Sequence, residues 1–257
     1  SPDVAPKQQG GWPYQILPFI EQRPKWEGTG ATVADRAKSA YYPQVMGYLC
    51  PSRRTSGLPG ACGSYRYRDT NVGNTGNPPQ GQTTCQTDYA ACCLNDGFND
   101  LKVFLPSRFP NDAAIRNAGF VWVGWSGAGA IKRSGYYSGW SKDVYTFANI
   151  IDGTSNTLLA GEKSLSQDRY SGGDWCDDGQ AMSGWDQDTI RRPDHPPVQD
   201  PRTRINPDQC HRFGSAHPGG FNVLFCDGSV RLVPYTIDLE AFCRYAHRFD
   251  GGVTPAP

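Results

Sequence analysis

The sequence predicts a single α+β domain over residues 1–257, with an antiparallel sheet, short helices and long loops pinned by disulfides. Three observations predict it. Two apolar runs flank an Asp-Gly pair near the C-terminus, one later segment repeats at helical spacing, and Gly (30) and Pro (21) are abundant beside 12% aromatic residues. High Gly and Pro alone would suggest disorder, but aromatic residues in that number argue for loops held by packing.

The elements follow in chain order. WPYQILPFIEQ (Trp12 to Gln22) is amphipathic but interrupted by Pro18, which limits it to a short helix or an extended segment. ATVADRAKSA (31–40) has helix-forming composition and is expected to make a few exposed turns. Met46 to Leu49 is expected as a strand ended by CPSRR. Residues 69–82 are Asn, Gly, Pro and Gln without periodicity and read as a surface loop. FVWVGW (120–125) reads as a buried strand. In VYTFANIIDGTSNTLLAGEK (144–163) an apolar segment reaches a turn at Asp152-Gly153, and TLLAGEK leaves it as a strand.

Residues 172–201 are rich in Asp, Trp, Gly and Pro and form an irregular insertion. Phe221 to Cys226 is then a strand, Asp227-Gly228 a two-residue type I′ turn, and Ser229 to Val233 the return strand. Gly219-Gly220 lets the chain bend sharply into that sheet. DLEAFCRYAHRF (238–249) is the clearest helix, with Asp238 as N-cap and Gly251-Gly252 as stop.

Charge excludes one class of partner. Lys plus Arg and Asp plus Glu are 25 each, so no basic footprint for nucleic acid or an anionic membrane exists. No run approaches 18 consecutive apolar residues, so the chain carries no membrane-spanning segment. Nine cysteines without a C-x-x-C or zinc-finger spacing point to disulfides in an oxidising compartment. The odd count leaves one thiol over or paired with another chain, and Cys226, after an apolar run, reads as a buried thiol. Connectivity stays open.

Four groups of residues could carry chemistry. His217 with Asn222 and Asp227 has the residue types of a metal site or a His-Asp relay. However, Asn222 and Asp227 sit at opposite ends of one strand, about 17 Å apart by strand rise. His217, Gly219, Gly220, Asn222, Asp227 and Gly228 are therefore read as a structural motif, with the His217 ring on a loop carbonyl. Asp174, Asp177, Asp178, Asp186 and Asp188 supply hard oxygen donors suited to calcium, although without EF-hand spacing; a solvated acidic loop is the alternative. Glu162, next to Lys163, is expected to hold a loop through backbone N–H groups rather than to catalyse. Trp122, Trp125, Trp140, Trp175 and Trp185 lie in Gly-rich loops and are ligand or interface candidates, or cover for a thin core. No nucleophile elbow, zinc-protease helix or phosphate loop occurs, and no enzyme signature remains.

GSAHPGGFNVLFCDGSVRLVPYTID resembles the C-terminal signature of a large planctomycete family of exported, pilin-like proteins, domain of unknown function 1559. DGTSNTLLAGEK and WPYQILPFIEQ resemble its central and early motifs, and CPSRR and TDYA (87–90) are similar too. The resemblance implies a pilin-like globular head. The chain begins where the globular part of such proteins begins, so the prepilin-type helix is expected to be missing from it. It further implies an extracytoplasmic structural or assembly role and self-association or contact with other surface subunits, while the family's biochemical activity is unassigned. Pseudopilin heads suggest calcium near the C-terminal sheet by analogy. A reading from another class is a secreted polysaccharide-binding module that uses the tryptophans and calcium.

Overall fold

The computed structural model describes residues 11–31, 35–36, 39–40, 42–57, 83–93, 130–131, 146–172, 174, 177, 181, 188–204 and 207–249. The expected strand 120–125, the loop 69–82 and Gly251-Gly252 lie outside these residues.

Two short helices open the described chain: α1 (Trp12–Ile16) and α2 (Arg23–Glu27), each with a proline in its first turn. Pro18 turns the chain into a one-turn 3-10 helix, Leu17–Phe19, after α1. Strands follow as β1 (Tyr89–Cys92), β2 (Leu158–Glu162), β3 (Ile190–Arg191), β4 (Val198–Gln199), β5 (Gly214–Ser215), β6 (Phe221–Phe225) and β7 (Val230–Val233). Helix α3 (Leu239–Ala246) closes the described part. The main sheet has the order β3-β1-β2-β6-β7, and β4 and β5 form a separate pair. The class is α+β. The sheet is mixed rather than purely antiparallel, because β3 runs parallel to β1.

Register divides the sheet into two faces. Tyr89 stands opposite Glu162 and Asn222 opposite Leu232, while Ala91 pairs with Ala160 and Leu224 with Val230. These residues share one face. The other face carries Ala90, Cys92, Phe221, Val223, Phe225 and Val233, and packs against Phe242, Tyr245 and Ala246 of α3. Phe213 stacks on Phe221 at 5.9 Å, and Phe242 meets both rings edge-on at 5.8 Å. Gly161 permits this packing: a Cβ there would stand 3.2 Å from Phe213 and 3.3 Å from Phe221.

The hairpin β6–β7 forms where expected, but not on a type I′ turn. Gly228 has φ +85°, whereas Asp227 is not in the left-handed region, and four residues connect the strands. The reason lies next door. Cys226 and Asp227 donate their N–H groups to the carbonyls of Thr157 and Thr154 instead of closing a tight hairpin. Asp227 serves as a cap, its Oδ1 accepting from the backbone N and Oγ of Ser229. The 152–157 turn is likewise self-capped, with Asn156 Nδ2 on the Asp152 carbonyl and Thr157 Oγ1 on that of Gly153. Of Gly219-Gly220, close approach constrains only Gly220, whose added Cβ would stand 2.3 Å from the Val233 carbonyl oxygen.

Met46–Tyr48 is a 3-10 turn rather than a strand, with Tyr48 and Leu49 donating to Val45 and Met46. A four-residue apolar run does not distinguish the two by periodicity. Its neighbours Tyr48, Val45 and Tyr42 join Tyr14 and Leu17 in a second, smaller core.

α3 begins where Asp238 Oδ1 accepts from the Ala241 N–H at 3.0 Å. Removing a cap of this type costs about 1 kcal/mol. Asp238→Ala is therefore expected to lower the thermal midpoint by a few degrees. An unchanged midpoint in a calorimetric scan would show that packing alone fixes this end.

Among the described residues one cysteine, Cys210, is disulfide-bonded, and six others, Cys50, Cys85, Cys92, Cys93, Cys226 and Cys243, are buried thiols, as expected for Cys226. Cys92 lies inside the main core, and Cys243 donates its thiol to the Pro193 carbonyl. Buried ion pairs tie the described loops together.

Candidate functional site

Arg53 and Arg54 of the CPSRR segment enter the interior on adjacent positions. Arg53 Nε and Nη2 meet both oxygens of Asp200, at 2.7 and 3.1 Å, and Nη2 also donates to the Gly214 carbonyl. Tyr170 Oη and the Leu165 N–H complete the shell of Asp200. Arg54 grips Asp177 through two nitrogens, at 2.6 and 3.1 Å, and reaches Asp88 at 2.7 Å. Lys163, fully buried, donates to Asp177 at 2.7 Å and to the Asp188 carbonyl at 3.0 Å. Burial disfavours the charged Asp177, but Arg54 and Lys163 outweigh it and hold the carboxyl down at about 2.

This network explains the acidic segment. Asp174, Asp177 and Asp188 are buried, not solvated, and Asp174 meets Arg204 at 3.3 Å. Asp178 and Asp186, the other calcium candidates, lie outside the described residues, as do all five tryptophans 122, 125, 140, 175 and 185.

The same network places a second constellation. Asp88 Oδ2 accepts from the Cys50 N–H at 2.7 Å and so fixes the start of CPSRR against β1. Glu162, the last residue of β2, is 0% exposed. Its Oε2 accepts from both the backbone N and Nδ2 of Asn222, at 2.7 and 3.1 Å. Lys163 turns to the opposite side, as strand alternation requires. Glu162 thus holds a backbone N–H, as its position suggested, while its Oε1 is buried without a hydrogen-bond partner.

His217 occupies the β5–β6 loop. Its N–H reaches Ser215 Oγ at 3.3 Å, and its carbonyl accepts from Tyr235 Oη at 2.7 Å. The ring does not sit on a loop carbonyl: Nε2 stands 3.4 Å from Glu162 Oε1 and 3.9 Å from Cys50 Sγ. Burial raises the Cys50 thiol above its ordinary value, and the Glu162 carboxylate adds to the shift. Burial also pushes the Tyr89 hydroxyl up to about 12, with Cys50 and Glu162 adding to it.

Beside this group a cleft of about 570 Å³ separates α1 and the 45–48 turn from the sheet. Trp12, Ile20, Met46, Tyr89, Leu224 and Val230 are among its walls. Trp12 is fixed by its indole N–H on the Thr189 carbonyl and by an edge contact with Tyr48. The cover ends there. Val230 is 64% exposed and Leu232 56%, both on the edge strand β7.

Cys50, Glu162 and His217 were each within a recognisable landmark, yet their meeting was not read from the sequence. The carbonyl assigned to His217 was a local partner, whereas the actual neighbour Cys50 is 167 positions away. Arg53, Arg54, Asp88 and Asp200 were missed as a set. The one available signal was two adjacent arginines in a chain with as many acids as bases.

Fold and site together define an α+β domain with a lopsided cover: α3 across one face of a mixed sheet, and a half-open apolar cleft on the other. The chain belongs to the protein family of unknown function DUF1559, whose profile matches residues 1–240. No curated protein and no solved structure matches the chain. Among the described residues, no helix is long and apolar enough to cross a membrane.

Proposed function

We propose that this domain is the globular head of an extracytoplasmic assembly protein, a pilin- or pseudopilin-like subunit that associates through the uncovered part of its sheet. One observation carries the reading: Val230 and Leu232 point into solvent from an edge strand, continuous with the apolar cleft. Exposed apolar side chains on an unpaired edge invite strand pairing and burial against another chain. Exposed Met46 and Ile20, both lining the cleft, extend that apolar surface. The Cys210 disulfide favours an oxidising compartment, and the pilin-like landmarks favour a structural rather than catalytic role.

Sedimentation velocity tests it. The wild-type chain is expected to form oligomers whose share grows with concentration. Val230→Asp/Leu232→Asp is expected to sediment as a monomer with an unchanged thermal midpoint, because neither side chain belongs to a core. A wild-type chain that stays monomeric at every concentration would overturn the proposal, and so would a double variant that associates as strongly.

A further inference from the structure

Three residues from three separate landmarks aim donor atoms at one point. Cys50 comes from CPSRR, Glu162 from the end of TLLAGEK, and His217 from the His-Pro-Gly-Gly loop. Their Sγ, Oε1 and Nε2 atoms all lie within 4.8 Å of one another. We propose that Cys50, Glu162 and His217 bind one zinc(II) ion at the end of the sheet, with an open fourth position. The proposal does not depend on the assembly reading above.

Distances support it first. With zinc about 2.3 Å from sulfur and about 2.0 Å from nitrogen and oxygen, tetrahedral ligand atoms stand about 3.3 to 3.6 Å apart. The observed separations are 3.4 Å for nitrogen to oxygen and 3.9 Å for sulfur to nitrogen. These two separations need shifts of only a few tenths of an ångström, and the third, sulfur to oxygen, lies within 4.8 Å.

The direction of approach separates a metal site from a nucleophilic relay. In a relay, the nucleophile and the carboxylate occupy opposite nitrogens of the imidazole. Here both Cys50 and Glu162 address the same nitrogen, Nε2. That convergence suits a cation at the centre, and among the described residues no carboxylate meets the ring from its other nitrogen.

The orphaned oxygen is the third argument. Glu162 Oε1 is fully buried and makes no well-formed hydrogen bond, its neighbours being the His217 ring at 3.4 Å and the Cys50 thiol, and a cation between the three would satisfy it. A thiol, an imidazole and a carboxylate together favour zinc over calcium or magnesium. The supporting groups are in place as well. Asn222 fixes the other carboxylate oxygen, Asp88 fixes the backbone of Cys50, and Tyr235 fixes the carbonyl of His217. The His217 side chain is 35% exposed, so the fourth position faces water.

Titration of the reduced, metal-free chain with cobalt(II) tests the proposal. One cobalt per chain is expected, with a thiolate-to-cobalt charge-transfer band and tetrahedral d–d absorption, both bleached by one equivalent of zinc. Cys50→Ser is expected to abolish the charge-transfer band, and His217→Ala to weaken cobalt binding about tenfold or more. Cys226→Ser, at the hairpin turn, is expected to leave the spectrum intact. A wild-type chain that takes up no cobalt would overturn the proposal, as would a charge-transfer band that survives Cys50→Ser. Should Cys50→Ser fail to fold, His217→Ala decides, because its ring is partly exposed and outside both cores. Unchanged affinity in that variant would equally defeat the assignment.

Discussion

Arg54→Met is expected to destabilise the domain by about 3–5 kcal/mol, because it strands buried carboxylates without their counter-charge. The side chains concerned are 5% exposed or less, so solvent screens little of the interaction. Methionine keeps most of the volume, which separates the lost charge from a packing defect. Asp177 would keep only Lys163, and Asp88 would lose the guanidinium that holds it against the Cys50 N–H. Urea unfolding followed by tryptophan fluorescence reads the loss directly.

Acid sensitivity gives the same network a second readout. The folded value of Asp177, about 2, lies below its ordinary 3.8. Its contribution is therefore complete above about pH 4 and lost as pH falls towards 2. Removing Arg54 raises the folded value, so the acid-unfolding midpoint should move upward. A loss under about 1 kcal/mol with an unmoved acid midpoint would show that the ion pairs do not hold the loops.

Phe221→Ala is expected to cost about 3–5 kcal/mol, the range for deleting a fully buried aromatic ring. Phe221 links three layers at once. It stacks on Phe213, meets Phe242 of α3 edge-on, and lies parallel to Tyr235 at 6.5 Å. Tyr235 is also the residue whose hydroxyl holds the His217 carbonyl. The variant should thus lose stability and loosen the His217 loop together, seen as faster amide exchange at residues 215–219. Exchange that stays slow there would separate the core from the site.

Local signals were legible and distant ones were not. Strands β2, β6 and β7 and helix α3 follow from period-2 and helical spacing with turn or cap residues at their ends. The β6–β7 hairpin and α3 close on neighbours a few positions away, whereas β2 shows in its own pattern although its partners β1 and β6 are distant in the chain. The hairpin loop departed from its expected type because Thr154 and Thr157, about 70 positions earlier, accept its N–H groups. Strand β1, YAAC, carries only small apolar residues and a tyrosine, too weak a pattern to be read as a central strand.

The acidic segment shows the same limit. Five aspartates in 15 residues suggest calcium or water, yet Asp177 meets Arg54, 123 positions back. The sequence presents Cys50 as one of nine disulfide candidates, Glu162 as a loop pin and His217 as a loop histidine. The Glu162 assignment holds through the Asn222 N–H, the His217 ring meets Glu162 and Cys50 instead of a carbonyl, and neither assignment reveals the shared point. Only the sheet register and the Arg53–Arg54 anchors bring them together.

The central claim is that these separate landmarks converge on one metal-binding point, and zinc-edge X-ray absorption of the zinc-loaded chain tests it most directly. The account predicts one sulfur scatterer at about 2.3 Å beside nitrogen and oxygen scatterers at about 2.0 Å, with the sulfur shell lost in Cys50→Ser. A shell of nitrogen and oxygen alone in the wild-type protein would contradict it.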